Sequence, residues 1–321
     1  MELSSLRGVQ KLRVGFVGAG RRAVHHVRSF REIDGVELVA VSDPVELARQ
    51  SVMEAFGIEG YADTEMMLDQ HDLEAIVVAA PPHLNVVAAK PSVERGIDTL
   101  VEKPPGIRTE EVSELADLAA KSGSRLMVGL DRRFNPWITA GVRAVRGRGP
   151  IRQLVGEFHK DPTEFFGRGL SEDMLDALVF ESPIHTFDIL RHIADSDVAT
   201  VSAHAARRRI QYRDVHAAMI MFENGIVAQF TANYTTGGRL ERYEIHGDGI
   251  SAYLEGVSEG WLLVDGERQE LKPDSEARSW ELQNRHFADC LRSGADFSPG
   301  CDISDAVKTI ALGEQLLSHT E

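Results

Sequence analysis

The sequence predicts an α/β protein: a doubly wound parallel sheet of Rossmann type, followed by an α/β part built on an open, mostly antiparallel sheet. Three observations predict it. Up to about residue 130, apolar strand-like runs alternate with helical patterns. A glycine-rich turn, Gly18-Ala19-Gly20-Arg21-Arg22-Ala23, stands between the first strand and the first helix. Beyond residue 130 the alternation gives way to a series of short strands.

In chain order, Arg13–Val17, Val36–Ser42, Ala75–Ala80, Thr99–Glu102 and Arg125–Leu130 read as strands, the last of them the sixth of a βα succession. Strands that are apolar throughout belong to a sheet buried on both faces. Helical patterns fall at Arg21–Glu32, Val45–Phe56, Thr64–Leu68, Pro82–Arg95 and Thr109–Ser122. Pro91 is expected to kink the fourth of these. Thr109 reads as the cap of the fifth and Gly123 as its end. Past residue 130, a helix is expected at Asn135–Arg146, with Pro136 at its start. Strand-like runs follow at Arg152–Phe158, Val198–Ala203, Ala217–Phe222, Ile226–Phe230, Arg242–His246, Ser251–Leu254 and Trp261–Val264. The helix His185–Ile193 interrupts them, and Asn224-Gly225 marks a hairpin. Two helices, about Glu281–Ser293 and Asp305–Ser318, close the chain and are placed to pack back on the first part. The expected division is residues 1–130 for a dinucleotide and 131–321 for substrate and oligomer contacts.

Composition narrows the function. The chain has 321 residues, enough for two domains, with 43% apolar and 26% charged residues. A formal charge of −15 argues against a general nucleic-acid binder, which needs a basic face against phosphates. The run Arg207-Arg208-Arg209 reads as a solvated loop or strand end. Two cysteines, Cys290 and Cys301, form neither a metal spacing nor a disulfide framework, so no metal is expected and a reducing, cytoplasmic setting fits. Met1 to Lys11 lacks the apolar run of a signal peptide. No stretch approaches the ~20 apolar residues of a membrane span.

The glycine-rich turn fits G-x-G-x-x-G/A in the required strand–turn–helix context. Gly18 permits the tight turn, Gly20 lets a pyrophosphate approach the backbone, and Ala23 lets helix and strand pack closely. The N–H groups of Ala19, Gly20, Arg21 and Arg22 are then available at a positive helix terminus. Asp43 ends the second strand, 23 residues after Gly20. Its carboxylate can accept from both adenosine-ribose hydroxyls and would repel a 2′-phosphate, which favours NAD over NADP. Asp43 can also cap the following helix. Arg49 stands too far along that helix to read as a phosphate ligand. Ala80, Pro81 and His83 follow the fourth strand and are expected beside the nicotinamide end. Glu102 and Lys103 end the fifth strand at the same edge of the sheet and are also expected to contact the cofactor. With seven lysines against 28 arginines, a lysine there stands out, because an ammonium can lose its proton and a guanidinium cannot.

These segments together resemble the Gfo/Idh/MocA oxidoreductases. The resemblance rests on Gly18–Ala23, Asp43-Pro44, Tyr61-Ala62-Asp63, Ala79-Ala80-Pro81-Pro82, Glu102-Lys103-Pro104, Arg132-Arg133-Phe134-Asn135-Pro136 and the helix Ile184–Arg191. It implies NAD-dependent hydride transfer at a sugar, sugar-derivative or cyclitol hydroxyl, with a polyol or sugar as the small-molecule partner. It also implies a homodimer or homotetramer assembled through the open sheet. Lys103 is then the catalytic lysine and His185 the proton-transfer residue. Two departures stand out. The aspartate usual four residues before the histidine is Glu181 here, which is expected to join the catalytic set. A histidine common in the fourth-strand motif is Asn85. Ser182-Pro183 intervenes before His185, so its helix is expected to begin at Pro183, with Glu181 in the entering loop. Asp188, one turn beyond His185, reads equally as structural or functional. Arg132, Arg133, His159, Lys160 and Tyr234 are further polar candidates for the crevice. The same fold also serves lyases or hydrolases that return the hydride, and non-catalytic dinucleotide or sugar sensors. Lys103 with His185 argues against a sensor.

Overall fold

The apolar run Leu12–Val17 forms β1, buried along nearly its whole length. In the computed structural model, which describes residues 11–167 and 169–318, a parallel sheet is built around it. Met1 to Lys11, read as lacking a leader-like run, lies outside the described residues except for Lys11. The other parallel strands are β2 (Val36–Ser42), β3 (Glu59–Tyr61), β4 (Ala75–Val78), β5 (Asp98–Glu102) and β6 (Leu126–Gly129). They lie in the order β6-β5-β4-β1-β2-β3. Strand order reverses between β1 and β4, and the crevice at the carboxyl ends of those strands is where open α/β sheets take their ligands.

Helices α1 (Arg21–Arg31), α2 (Glu46–Phe56), α3 (Thr64–Gln70), α4 (Asn85–Glu94) and α5 (Thr109–Ser122) connect these strands. Three readings need correction. The short strand β3 has little apolar signal, and no range was expected for it. The fourth helix is in two pieces: a 3-10 turn at Pro82–Leu84, then α4. Pro91 lies inside α4 without ending it. Thr109 is the first residue of α5 and not its cap, a position held by Arg108 with no side-chain cap. The Thr109 N–H and hydroxyl are instead both taken by the Glu314 carboxylate. Gly123 ends α5 in the left-handed region, as its position suggested.

The second sheet starts after α6 (Pro136–Arg148), which Asn135 caps by accepting from the N–H groups of Trp137 and Ile138 at 3.0 Å each. Its first strand is β7 (Ile151–His159). A short α7 (Glu172–Asp176) and α8 (Ile184–Ala194) come next. The remaining strands are β8 (Val198–Ala206), β9 (Val215–Phe222), β10 (Val227–Asn233), β11 (Leu240–Gly247), β12 (Ile250–Glu255), β13 (Glu259–Val264) and β14 (Glu267–Glu270). The order is β14-β13-β12-β11-β7-β10-β9-β8, antiparallel except where β7 meets β10. Helices α6 and α8 cover one face. On the other face Met219 and Met221 are exposed, and Tyr253 stacks on Trp261 at 4.3 Å.

The chain then returns to the first sheet through α9 (Ser279–Ser293), β15 (Cys301–Asp302) and α10 (Ile303–Leu317). Strand β15 adds to β6 in antiparallel sense, Cys301 opposite Val128. Helix α9 lies along α1, and Phe287 completes an aromatic core with Phe16 and Phe30. Among the described residues, no helix is long and apolar enough to cross a membrane.

Candidate active site

The turn after β1 is built to bring backbone close to a ligand. Gly18 has φ +100°, and a Cβ there would stand 2.5 Å from the main-chain oxygen of Ala79 on the adjoining strand. At Gly20, the N-cap of α1, a Cβ would meet nothing within 4 Å, and no side chain caps the helix. An open helix N-terminus facing free space is the geometry that accepts a pyrophosphate. Arg21 is exposed at this terminus. Ala23 is buried against the sheet. The N–H of Ala19 is already used: it donates to Asp43 Oδ2 at 2.6 Å.

Asp43 therefore has a structural task beside the one expected. Its other oxygen accepts from the Val45 N–H at 2.8 Å, bracing the chain before α2. The formal N-cap of α2 is Val45, so Asp43 supports the helix from two residues before its cap. Arg49 does reach back from α2: its Nη1 donates to the main-chain oxygen of Asp43 at 2.6 Å. Across the switch point, Ala80 is half-buried, and Pro81 and His83 are exposed on the loop after β4.

Glu102 and Lys103 end β5 but face different neighbours. Glu102 is buried, and its Oε1 accepts from both Arg22 Nε and His26 Nε2 at 2.7 Å. Burial alone would raise the Glu102 carboxyl, but Arg22 and His26 outweigh it and hold the group well below the usual carboxylate range. Glu102 thus clamps α1 to β5 beneath the cofactor edge, and its oxygens are occupied from the protein side. His26 Nδ1 meets Asn284 Oδ1 at 3.0 Å, which ties α9 to the same clamp. Asn85, the residue of unassigned role, donates from Nδ2 to the main-chain oxygens of Glu102 and Pro104 at 3.1 and 3.0 Å. It fixes the segment that carries Lys103.

Lys103 Nζ donates to the main-chain oxygen of Glu181. Burial pulls its pKa below the ordinary lysine value, opposed by Glu181 and Glu102. Glu181 follows the 3-10 turn Leu178–Phe180, and Pro183 caps α8, so α8 starts one residue later than expected. The Glu181 carboxylate accepts the Ser182 hydroxyl.

His185 lies in the first turn of α8 and is buried. Burial lowers its pKa to about 4, with Asp131 opposing and Arg132 and Lys103 assisting. The imidazole is neutral at pH 7 and able to accept a proton. Its Nδ1 stands 3.6 Å from Asp131 Oδ1. Asp131 is buried, accepts from Ser279 Oγ at 2.7 Å, and adjoins Arg132. Arg132 in turn makes a two-pronged pair with Glu241 at 2.6 and 3.1 Å. Asp131, Ser279 and Glu241 were not singled out in the sequence; the one available signal was that Asp131 immediately precedes Arg132-Arg133-Phe134.

The remaining candidates divide. Arg132 is held between Glu241 and Asp131. Arg133 points into the interior and pairs with Asp188 at 2.9 and 2.6 Å and with Asp305 at 2.6 Å. Asp188 is fully buried there, with its oxygens taken by Arg133 and Thr309. Tyr234 is fully buried with its hydroxyl on the Leu178 oxygen at 2.9 Å. Lys160 lies over the Phe165 ring at 4.6 Å. His159 buries an Nδ1 that makes no hydrogen bond. Arg207 and Arg209 are occupied by Asp176 and Asp161. Among the described residues, no group of three or more His, Cys, Asp or Glu side chains is placed to hold a metal ion.

A switch-point crevice lined by a dinucleotide turn, with a lysine and a neutral histidine beside it, defines an NAD-binding oxidoreductase of two-sheet architecture. The chain belongs to the Gfo/Idh/MocA family. Residues 12–130 match that family's oxidoreductase model, described as an NAD-binding Rossmann fold, and residues 149–252 match its C-terminal domain. The scyllo-inositol 2-dehydrogenase (NAD(+)) of Bacillus subtilis is 26% identical over 88% of this chain and 87% of its own. D-apiose dehydrogenase of Paraburkholderia graminis is 26% identical over 95% and 87%. A solved myo-inositol dehydrogenase from Corynebacterium glutamicum superposes with a TM-score of 0.80 at 22% identity, covering 97% of this chain and 96% of its own. It shares the fold.

Proposed function

We propose that this protein oxidises a secondary hydroxyl of a sugar, sugar derivative or cyclitol to a ketone with NAD, or runs the reverse. The observation that carries the reading is the anchoring of Lys103 on the Glu181 oxygen, at the entrance to the helix that bears His185. The names of the inositol and apiose dehydrogenases support the substrate class. Bound at the open terminus of α1, NAD supplies the hydride acceptor. The protein's own part is proton and charge management. His185 takes the hydroxyl proton as neutral base. The Lys103 ammonium stabilises negative charge developing on the oxygen. Gly18, Gly20, Arg21 and Arg22 would surround the pyrophosphate, Asp43 the adenosine ribose, and Ala80, Pro81 and His83 the nicotinamide end.

The division at residue 130 assigns cofactor binding to the first sheet and substrate binding to the second, with α9, β15 and α10 returning. The open face of the second sheet, with Met219, Met221, Tyr253 and Trp261, supports a homodimer or homotetramer. A cytoplasmic setting without nucleic-acid or membrane partners fits the acidic composition and the two free cysteines.

The test is a panel of polyols, cyclitols and sugars with NAD, followed by NADH absorbance. NADH formation with one member supports the reading. Turnover without net NADH would replace it with a lyase or hydrolase, and ligand binding without turnover with a sensor.

A further inference from the structure

A histidine that accepts a proton becomes a cation, and a buried cation is unfavourable without a carboxylate beside it. His185 is only 7% exposed. The residue four positions earlier, where the family pattern puts that carboxylate, meets Lys103 through its main-chain oxygen and turns its carboxylate to Ser182. The carboxylate beside the imidazole comes from a different segment, the turn after β6. Asp131 Oδ1 lies 3.6 Å from His185 Nδ1, and that nitrogen is buried without a hydrogen bond. Asp131 is itself 1% exposed. Its Oδ2 holds the Ser279 hydroxyl at 2.7 Å, and Arg132 Nη1 stands 3.3 Å from both oxygens. Oδ1 keeps acceptor capacity on the side of the imidazole.

We propose that Asp131 is the positioning residue of His185: it accepts a hydrogen bond from the Nδ1–H, leaves Nε2 bare toward substrate, and stabilises the imidazolium formed during turnover. The proposal rests on the reading of His185 as proton acceptor. In the step it supports, the substrate O–H bond breaks and its proton passes to Nε2. The oxygen electron pair forms the carbonyl as hydride leaves the carbinol carbon for oxidised nicotinamide. Asp131 stays ionised throughout. Bringing Nδ1 and Oδ1 to a hydrogen bond of ~2.8 Å needs a movement under ~1 Å, ordinary for catalytic contacts that tighten on binding.

The charged groups around the pair define what its titration reports. Asp131, Arg132, Lys103 and Glu241 act on the imidazole, and Arg132, Arg22 and the imidazole itself act on Asp131. Arg132 is shared with Glu241, so it does not neutralise Asp131 alone. The segment that supplies Asp131 also carries Arg133, which is locked to Asp188 on α8. The carboxylate and the helix bearing His185 are therefore held in register by an ion pair two residues from Asp131.

The experiment is long-range ¹H–¹⁵N NMR of the full chain labelled at histidine, with the His185 signals assigned by their loss in His185→Gln. The expected result is a neutral ring protonated at Nδ1 and bare at Nε2. In Asp131→Asn the tautomer should change and the titration midpoint should fall by about one unit or more. With the substrate found in the NADH panel, kcat/KM should drop about a hundredfold, its acid limb moving to lower pH. A wild-type ring protonated at Nε2 would overturn the proposal. So would a folded Asp131→Asn with unchanged His185 signals and rate. If Asp131→Asn does not fold, the wild-type tautomer alone decides. Full turnover in His185→Gln would remove the parent reading along with this one, whereas loss there with no effect of Asp131→Asn removes only this one.

Discussion

Lys103 reaches Glu181 through the main chain: its Nζ donates to the Glu181 carbonyl oxygen. An ammonium held by a carbonyl keeps its position whatever side chain that residue carries. The lysine is thus fixed by the path of the backbone entering α8, and the two segments expected to share catalysis are joined by a contact that leaves both side chains distinct.

Removing Lys103 should therefore separate chemistry from binding. Lys103→Ala is expected to lower kcat by about 10²–10³, the range for losing one donor to a developing oxyanion. NAD affinity, measured by quenching of protein fluorescence, should change little. A mutant with wild-type kcat would leave Lys103 only a structural role, tying β5 to the entrance of α8.

Glu181→Gln should be mild. The carbonyl that holds Lys103 survives the substitution, and a glutamine oxygen can still accept from Ser182. We expect kcat/KM within about tenfold of wild type, since the lost charge only tunes the neighbouring lysine. A loss comparable with that of Lys103→Ala would restore Glu181 to the catalytic set.

Asp43→Ala should have two effects. The N–H groups of Ala19 and Val45 lose their acceptor, costing about 1–3 kcal/mol of stability in urea unfolding. The preference for NAD over NADP should also narrow, because no carboxylate then faces a 2′-phosphate while Arg49 remains beside the site. Tighter binding of NADP than NAD by the unmodified protein would contradict this role.

Stability should fall in acid through Asp305. Burial would raise its carboxyl, but Arg133 and Arg191 outweigh burial and hold it at about 2. A carboxylate depressed in the folded state contributes fully above its unfolded value of ~3.8 and loses that contribution as pH drops toward 2. Melting curves should therefore show Tm declining between about pH 4 and 2. Asp305→Asn should start from a lower Tm at pH 6 and decline less over that window.

Most strand and helix positions of the first half were legible because the signals were local. Apolar runs marked β1, β2, β4, β5 and β6, and Gly123 marked an end of helix. Strand β14 carried no such signal: all four of its residues are exposed. The site was legible where a residue's role follows from its place on a strand end, as for Lys103. It was not legible where the role depends on a partner far away in sequence. Nothing near Thr109 announces Glu314, and nothing near His185 announces Asp131, 54 positions earlier. Asp188 and Arg133 show the same limit in reverse, since both looked equally fit for the crevice until their mutual pairing filled them.

The return of the chain through α9 and β15 has a consequence for how the protein is made. Ribosomes deliver the nucleotide half first, yet its sheet edge is unfinished until Cys301 pairs with Val128, and its aromatic core until Phe287 arrives beside Phe30. During synthesis the early half must wait, with apolar surface showing, for residues delivered much later in the chain. A nascent chain stalled midway would thus leave that surface uncovered, and a complete first sheet would wait for α9 and β15.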